Sequence, residues 1–120
     1  MNNAAKIVAI LFASREIAHR EHLNTGSYAQ HMALGDFYTK VIDLADSFAE
    51  TWMGLNGKIG QIPYEKPVSG SVDDVLEHHV SSIEQLRGSF NKQAETCLLN
   101  ILDEISALYT QTLYKLRMLS

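Results

Sequence analysis

Apolar residues recur every three to four positions along nearly the whole 120-residue chain, which is the period of an amphipathic helix. The pattern breaks at only three places. These are a short break at residues 24–26, a stretch at 56–70 that holds three glycines and both prolines, and a tight break at 88–89. No alternating strand pattern and no internal repeat competes with it. The sequence therefore predicts four helices joined by two tight turns and one long connection.

Capping residues indicate where the helices begin. Ser27, with Gln30 three residues later, has the pattern of an N-terminal cap, and Ser71 with Asp74 repeats that pattern. The predicted helices run from about Asn3 to Asn24, from Tyr28 to Leu55, from Val72 to the break at Gly88, and from Lys92 to Leu119.

The lengths of the connections predict how the helices pack. Short links make antiparallel neighbours, so the first two helices form one hairpin and the last two form another. The long connection lets the second hairpin lie alongside the first. One long crossover between helices two and three is the ferritin-like arrangement among four-helix bundles. We therefore expect an all-α, ferritin-like four-helix bundle that forms a single domain over residues 1–120.

Composition excludes several classes of protein. The formal net charge of −4 argues against a DNA-binding protein, because phosphate binding relies on Lys and Arg. No segment reaches the roughly 20 apolar residues that span a membrane, and the apolar run Ile7–Ala13 is interpreted as a buried helix face rather than a signal peptide. Cys97 is the only cysteine, which fits a reducing, cytoplasmic location, and we predict that its side chain is buried.

Helix two carries most of the residues that could do chemistry. Its acidic residues flank the apolar face, and two of them, Asp46 and Glu50, are one turn apart and could share a cation. His31 lies about 22 Å from Asp46 along the helix axis, too far to bind the same ion within one chain. The two groups could cooperate only across a subunit interface in which two copies of the helix run antiparallel. The other acidic residues on this face are Asp36 and Asp43.

The end of helix one offers a second set of metal-ligating side chains. Glu16, His19 and His22 stand at spacings of three residues, and Glu-x-x-His is also the spacing of di-iron bundle proteins. Imidazole together with carboxylate suits first-row metals such as iron, zinc or manganese. The alternative for both helices is a solvated polar face with no ligand.

The segment Ala18–Asn24 (Ala-His-Arg-Glu-His-Leu-Asn) is similar to the mini-ferritin signature Ala-His-x-x-His-Trp-Asn. His31, Asp46 and Glu50 have the spacing of that family's second histidine, aspartate and glutamate, and the tail Leu102–Leu119 is similar to its last helix. The chain therefore resembles the Dps-type mini-ferritins of the ferritin-like superfamily. It is also similar to small uncharacterised phage-encoded proteins with His-Leu-Asn-Thr, Ser-Tyr-Ala-x-His and Asp-Ser-x-x-Glu elements.

The resemblance implies an iron site between two subunits, at which Fe(II) would be oxidised. His22 and His31 would come from one subunit, Asp46 from its neighbour, and Glu50 would bridge the metals. His19, Asp36 and Asp43 are secondary candidates. The chain departs from the family at Gly35, where the family has an aspartate, at Leu23 in place of tryptophan, and in having no lysine-rich DNA-binding tail.

A second hypothesis is a metal-free helical scaffold, such as a phage accessory or virion protein that acts through protein–protein contacts. The same residues would then form interface salt bridges or face water. Under both hypotheses His79 lies on the apolar stripe of helix three and is expected in the core or an interface, while His78 is expected at the surface.

Overall fold

The computed structural model describes residues 2–119 and contains four α-helices. They are α1 (Asn3–Asn24), α2 (Tyr28–Asn56), α3 (Val72–Arg87) and α4 (Thr96–Met118). The prediction of an all-α four-helix bundle is confirmed. None of these helices is apolar enough over a sufficient length to cross a membrane.

Contacts between the helix ends define the topology. The end of α1 meets the start of α2 at His22 and His31, and the start of α2 meets the end of α4 at Asp36 and Lys115. α1 packs against α2 and α3, and α4 packs against the same two helices, so α2 and α3 are diagonal to each other. All neighbouring helices are antiparallel, which makes α2 and α3 parallel. The connection between them must therefore run the length of the bundle, as in bundles with one long crossover.

The crossover, residues 57–71, is held against the bundle by apolar and polar contacts. Ile59 and Ile62 pack on the edge of the core, and the Asn2 side-chain amide donates a hydrogen bond of 3.1 Å to the Ile59 carbonyl. Gly57 and Gly60 have φ of 91° and 84°, values that side chains with a Cβ rarely adopt. The crossover therefore leaves α2 through two glycine turns and then lies along the outside of the helices.

Large apolar side chains from all four helices fill the core. Phe37 packs edge-on against Tyr109 with ring centroids 5.0 Å apart, and Phe48 packs edge-on against Phe90 at 5.9 Å. Both α2 phenylalanines are fully buried. The core therefore follows the 3.6-residue pattern of the sequence.

The start of α4 differs from the prediction. The chain turns over residues 88–95 and the helix begins at Thr96 rather than Lys92. The Asn91 carboxamide oxygen accepts hydrogen bonds from the backbone N–H groups of Gln93 and Ala94, as an N-cap does, but only one turn follows, and the backbone leaves helical geometry at Glu95 (φ −121°, ψ 35°). Cys97 lies in the first turn of α4 on its outer face and is exposed, so the prediction that it is buried was wrong.

Ser71 stands at the N-cap of α3 as predicted, but its hydroxyl makes no capping hydrogen bond to the helix. It interacts instead with Asp73, whose carboxyl also pairs with Arg117 of α4 at 3.0 Å. The hydrogen bond from Ser71, followed by that from Arg117, lowers the pKa of Asp73. Arg117 also reaches Glu77 at 3.1 Å, so the end of α4 is tied to the start of α3.

Truncating Phe48 to alanine should destabilise the bundle by about 3–5 kcal/mol, because it empties a fully buried aromatic site beside Phe90. Urea unfolding followed by circular dichroism would measure the loss. Ser47→Ala, one residue earlier and exposed, is the matched control and should change the free energy of unfolding by less than about 0.5 kcal/mol. Equal effects of the two changes would contradict this packing.

Candidate functional site

Two histidines, His22 and His31, join the two helices of the α1–α2 hairpin, and this pair is called the His22–His31 clasp below. His22 near the end of α1 and His31 in the first turns of α2 stack with ring centroids 3.7 Å apart and planes 16° apart. His22 Nδ1 lies 2.6 Å from the His31 carbonyl oxygen, and His31 Nδ1 lies 2.7 Å from the His22 carbonyl oxygen. A carbonyl only accepts, so each Nδ1 carries the hydrogen and donates it. Each Nε2 is left without a hydrogen-bond partner among residues 2–119.

A three-residue turn brings the two histidines together. Ser27 caps α2 by accepting from the Gln30 backbone N–H at 3.2 Å, and the Thr25 hydroxyl accepts from the Ser27 N–H at 3.1 Å. The Thr25 hydroxyl in turn donates to the Gln30 side-chain oxygen. The last carbonyl groups of α1 lack donors within the helix, and His31 Nδ1 donates to one of them, the carbonyl of His22. The turn is therefore short because its polar groups satisfy one another.

Gly35 makes room for the His22 ring. A Cβ at this position would lie 3.0 Å from His22 Cε1 and 3.2 Å from Nδ1, which is closer than side chains normally approach. The sequence comparison with mini-ferritins treated Gly35 as the loss of a ligand. In the structure it is the surface of α2 on which the imidazole rests.

The histidine pair is extended by two further rings. His19, one turn before His22, stacks on Tyr38 of α2 with centroids 4.2 Å apart, and Tyr38 meets His22 edge-on at 5.3 Å. His19 is only partly exposed, so it is part of the helix contact rather than a free surface residue. His19, His22, His31 and Tyr38 are called the histidine cluster below.

The acidic candidates lie apart from the histidine cluster. Asp43, Asp46 and Glu50 are all exposed on α2. Asp46 is fifteen residues beyond His31, about 22 Å along the helix. Among residues 2–119, no three His, Cys, Asp or Glu side chains come close enough to hold one metal ion. The structure thus brings His22 and His31 together and leaves Asp46 and Glu50 elsewhere on the same chain.

The Asp36 carboxylate forms ion pairs with two lysines. Its carboxylate lies 3.0 Å from Lys40, one turn along α2, and 3.6 Å from Lys115 of α4. The hydrogen bond from Lys40 is the largest cause that lowers the pKa of Asp36. As a secondary metal candidate, Asp36 would first have to give up both ion pairs.

A second polar cluster, which the sequence analysis did not detect, lies inside the core. The Tyr109 hydroxyl donates to Ser14 Oγ at 2.5 Å, and Ser14 Oγ lies 2.7 Å from His79 Nδ1. Burial raises the pKa of Tyr109, so the phenol keeps its proton and donates. Burial, with a smaller effect of nearby His78, lowers the pKa of His79 to about 4.

This arrangement settles the direction of the core hydrogen bonds. His79 is neutral near pH 7, and Ser14 Oγ already accepts from Tyr109. Among residues 2–119 the Ser14 hydroxyl hydrogen has no acceptor other than His79 Nδ1, so Ser14 donates to that nitrogen and the ring hydrogen lies on Nε2. His79 is buried and His78 is exposed, as predicted. Ser14, which follows an apolar stretch of α1, is the signal in the sequence that could have indicated this cluster.

Residues 22–116 match the model of a family of unknown function, DUF5856. The chain belongs to the DUF5856 family. The match begins at His22 and covers the remainder of the α1–α2 hairpin, the crossover, α3 and most of α4, so both histidines of the clasp lie inside the family region.

A similar protein is known from a bacteriophage. This DUF5856 chain is 25% identical over 115 residues to the uncharacterized 14.6 kDa protein in the mobD-ri intergenic region of Enterobacteria phage T4, covering 96% of the chain and 88% of the relative. The predicted similarity to small phage proteins is supported by that relative. No solved structure matches the chain. The mini-ferritin resemblance finds no support in these comparisons.

Replacing Gly35 by alanine should destabilise the DUF5856 fold, because the new methyl group would push the His22 ring out of its stack with His31. The matched control is Gly54→Ala, in the last turns of the same helix, where nothing lies within 4 Å of a new Cβ. That control should be neutral or stabilising by up to about 1 kcal/mol, the usual helix preference of alanine over glycine. Urea unfolding would measure both. Equal stabilisation by both changes would mean that His22 moves aside at no cost.

The stability of the protein should fall as the pH falls from about 6.5 to about 4. Unfolded His79 takes up a proton near its ordinary pKa of 6.5, whereas folded His79 does so only at about 4. The unfolded state therefore binds more protons in this window, and the full loss is about 3 kcal/mol. Urea unfolding at several pH values would show this slope. It should flatten in His79→Gln and persist in His78→Gln, whose side chain is exposed. A slope unchanged in His79→Gln would assign it to other groups.

Proposed function

We propose that this protein acts as a homo-oligomer that binds a first-row divalent metal, iron in the first instance, between two copies of the α1–α2 hairpin. His22 and His31 of one copy and Asp46 and Glu50 of the other would be the ligands. The observation that carries the proposal is the mutual use of both Nδ1 atoms in the His22–His31 clasp, which leaves Nε2 on each ring for a ligand.

The clasp would give both imidazoles the tautomer and the fixed orientation that metal-binding histidines usually have. Histidines that bind a metal through one nitrogen usually donate a hydrogen bond from the other, and a backbone carbonyl is a common acceptor. Donation from Nδ1 fixes the tautomer with its lone pair on Nε2 and holds the ring orientation. A ligand lone pair lies in the ring plane, so two nearly parallel rings 3.7 Å apart are suited to two neighbouring ions rather than one.

The outer face of α2 fits the proposed pairing of two copies. Its first half exposes Tyr28 and Met32, which are 77% and 53% accessible, and its second half exposes Asp46 and Glu50. Pairing two antiparallel α2 helices about a two-fold axis near Thr39 sets Asp46 opposite Met32, and Glu50 opposite Tyr28, of the other copy. Both carboxylates then stand within a turn of the other copy's His31.

A site for a divalent cation also needs negative charge from its ligands. Two imidazoles alone carry no negative charge to balance a divalent cation, and the carboxylates supply it. Because the described residues of one chain hold no three-ligand group, metal binding and self-association would be coupled. A net charge of −4 gives no support to DNA as a partner.

Oxidation of Fe(II) is the finer part of the proposal. Fe(II) would be the substrate and hydrogen peroxide or oxygen the oxidant. With peroxide, two Fe(II) ions each lose one electron to one peroxide molecule, which takes up two protons and leaves as two water molecules. Glu50 is the carboxylate that would bridge the two ions, and Asp46 would bind one of them.

Anaerobic titration with Fe(II) should show saturable binding that rises with protein concentration as dimers form. Glu50→Ala should weaken that binding by at least about tenfold, since it removes a charged ligand that both ions would share. Glu84→Ala, an exposed glutamate on α3, is the matched control and should bind as the parent protein does. Addition of peroxide should then produce ferric absorbance faster in the parent protein and the control than in Glu50→Ala or in protein-free buffer.

Two results would contradict the metal site. One is weak iron binding that is equal in the parent protein and in Glu50→Ala. The other is tight binding by a strict monomer in sedimentation equilibrium, which would place the ligands within one chain.

The competing function is a metal-free helical scaffold, such as a phage accessory or virion protein that works through protein contacts. The observation in its favour is that each Nδ1 of the His22–His31 pair is satisfied by a backbone carbonyl, so the pair holds the hairpin closed without any ion. The phage T4 relative is consistent with that setting, in the host cytoplasm or in a virion. Under this function Glu50→Ala leaves activity intact.

A further inference from the structure

A groove of about 640 Å³ lies between α1, α3 and the crossover. Its volume is within the range of pockets that hold small molecules. Its floor is apolar, and its roof is the strap of crossover residues 62–68. The main apolar lining residues are Ala9, Phe12, Ala13, Ile17, Pro63 and Val75.

One buried polar group faces this groove. His79 is 3% exposed and lines the groove from α3, while its Nδ1 is occupied by Ser14. The Tyr109–Ser14–His79 chain leaves the ring hydrogen on Nε2, which has no hydrogen-bond partner among residues 2–119. The groove therefore offers one neutral N–H donor in apolar surroundings. An apolar pocket with one or a few convergent polar groups is typical of small-molecule sites.

The charges at the edge of the groove balance. Arg20 pairs with Glu16 at 2.9 Å, and the crossover contributes Glu65 and Lys66. These two acidic and two basic side chains give the edge of the groove no net charge that would attract an anion or a cation. The complementary molecule is therefore uncharged.

We propose that the groove binds a neutral, mainly apolar small molecule that carries one carbonyl oxygen, and that this oxygen accepts a hydrogen bond from His79 Nε2. The occupant is distinct from the metal of the proposed function. It contacts α1, the crossover and α3, whereas the proposed metal residues belong to the histidine cluster and the outer face of α2.

The test uses prodan, a neutral naphthalene ketone whose fluorescence reports the polarity around its carbonyl. Titration of the full chain should give saturable binding with a blue-shifted emission. Ala13→Phe fills the groove without touching the core hydrogen bonds and should weaken binding by at least about tenfold. Ala107→Phe, on the exposed face of α4, is the matched control and should not. Circular dichroism would establish that both variants are folded.

A second measurement needs no groove variant. In a long-range ¹H–¹⁵N spectrum of the histidine rings, prodan should shift the Nε2 signal of His79 and leave those of His22 and His31 in place. Prodan binding that is insensitive to Ala13→Phe, or a spectrum in which the His79 signal stays unmoved at saturation, would overturn the proposal. Absence of any saturable binding would do so too, and would leave a peptide segment or a second copy as the occupant to examine.

Discussion

Two hydrogen bonds in the centre of the core tie three helices together at one level. Tyr109 of α4 donates to Ser14 of α1, and Ser14 is bonded to His79 of α3. Apolar packing is non-directional and tolerates small shifts along a helix axis, whereas an unpaired buried polar group costs about 1–3 kcal/mol. Sliding any of the three helices by a turn would break this chain, so it specifies their relative register. The fourth helix, α2, is set by Phe37 against Tyr109 and by the histidine clasp to α1.

The number of helices and their order follow from elementary sequence signals. The apolar period, the Ser27 cap and the glycines of the crossover were enough to predict the bundle and its single long connection. The start of α4 was not predicted, because Lys92, Gln93 and Ala94 all favour a helix by themselves. The Asn91 side chain accepts from the backbone N–H groups of Gln93 and Ala94 and starts a single turn, and the helical geometry is interrupted at Glu95 (φ −121°, ψ 35°) before α4 begins at Thr96. Such an interruption depends on backbone geometry that composition does not show.

At the candidate site too, some features could be predicted from the sequence and others could not. The residue types and spacing of His22, His31, Asp46 and Glu50 were visible in the sequence, and so was the need for a second copy to unite them. That His22 and His31 bond to each other's carbonyls was not visible, because it depends on the shape of a three-residue turn. Gly35 illustrates the same point, since its role is to leave space for a ring that arrives from another helix.

The two candidate functions make the same use of the histidines and differ in their use of the carboxylates. The Nδ1 hydrogen bonds hold the hairpin closed with or without an ion, and they leave each Nε2 open to a ligand, so the carboxylates are what separates the two functions. Asp46 and Glu50 are exposed and lie about 22 Å and about 28 Å from His31 along α2, and neither forms an ion pair within the described residues of one chain. On a monomer they are a solvated acidic face. In the proposed function, antiparallel contact between two α2 helices would bring that face to the histidines of the other copy, so the proposal depends on whether this face self-associates.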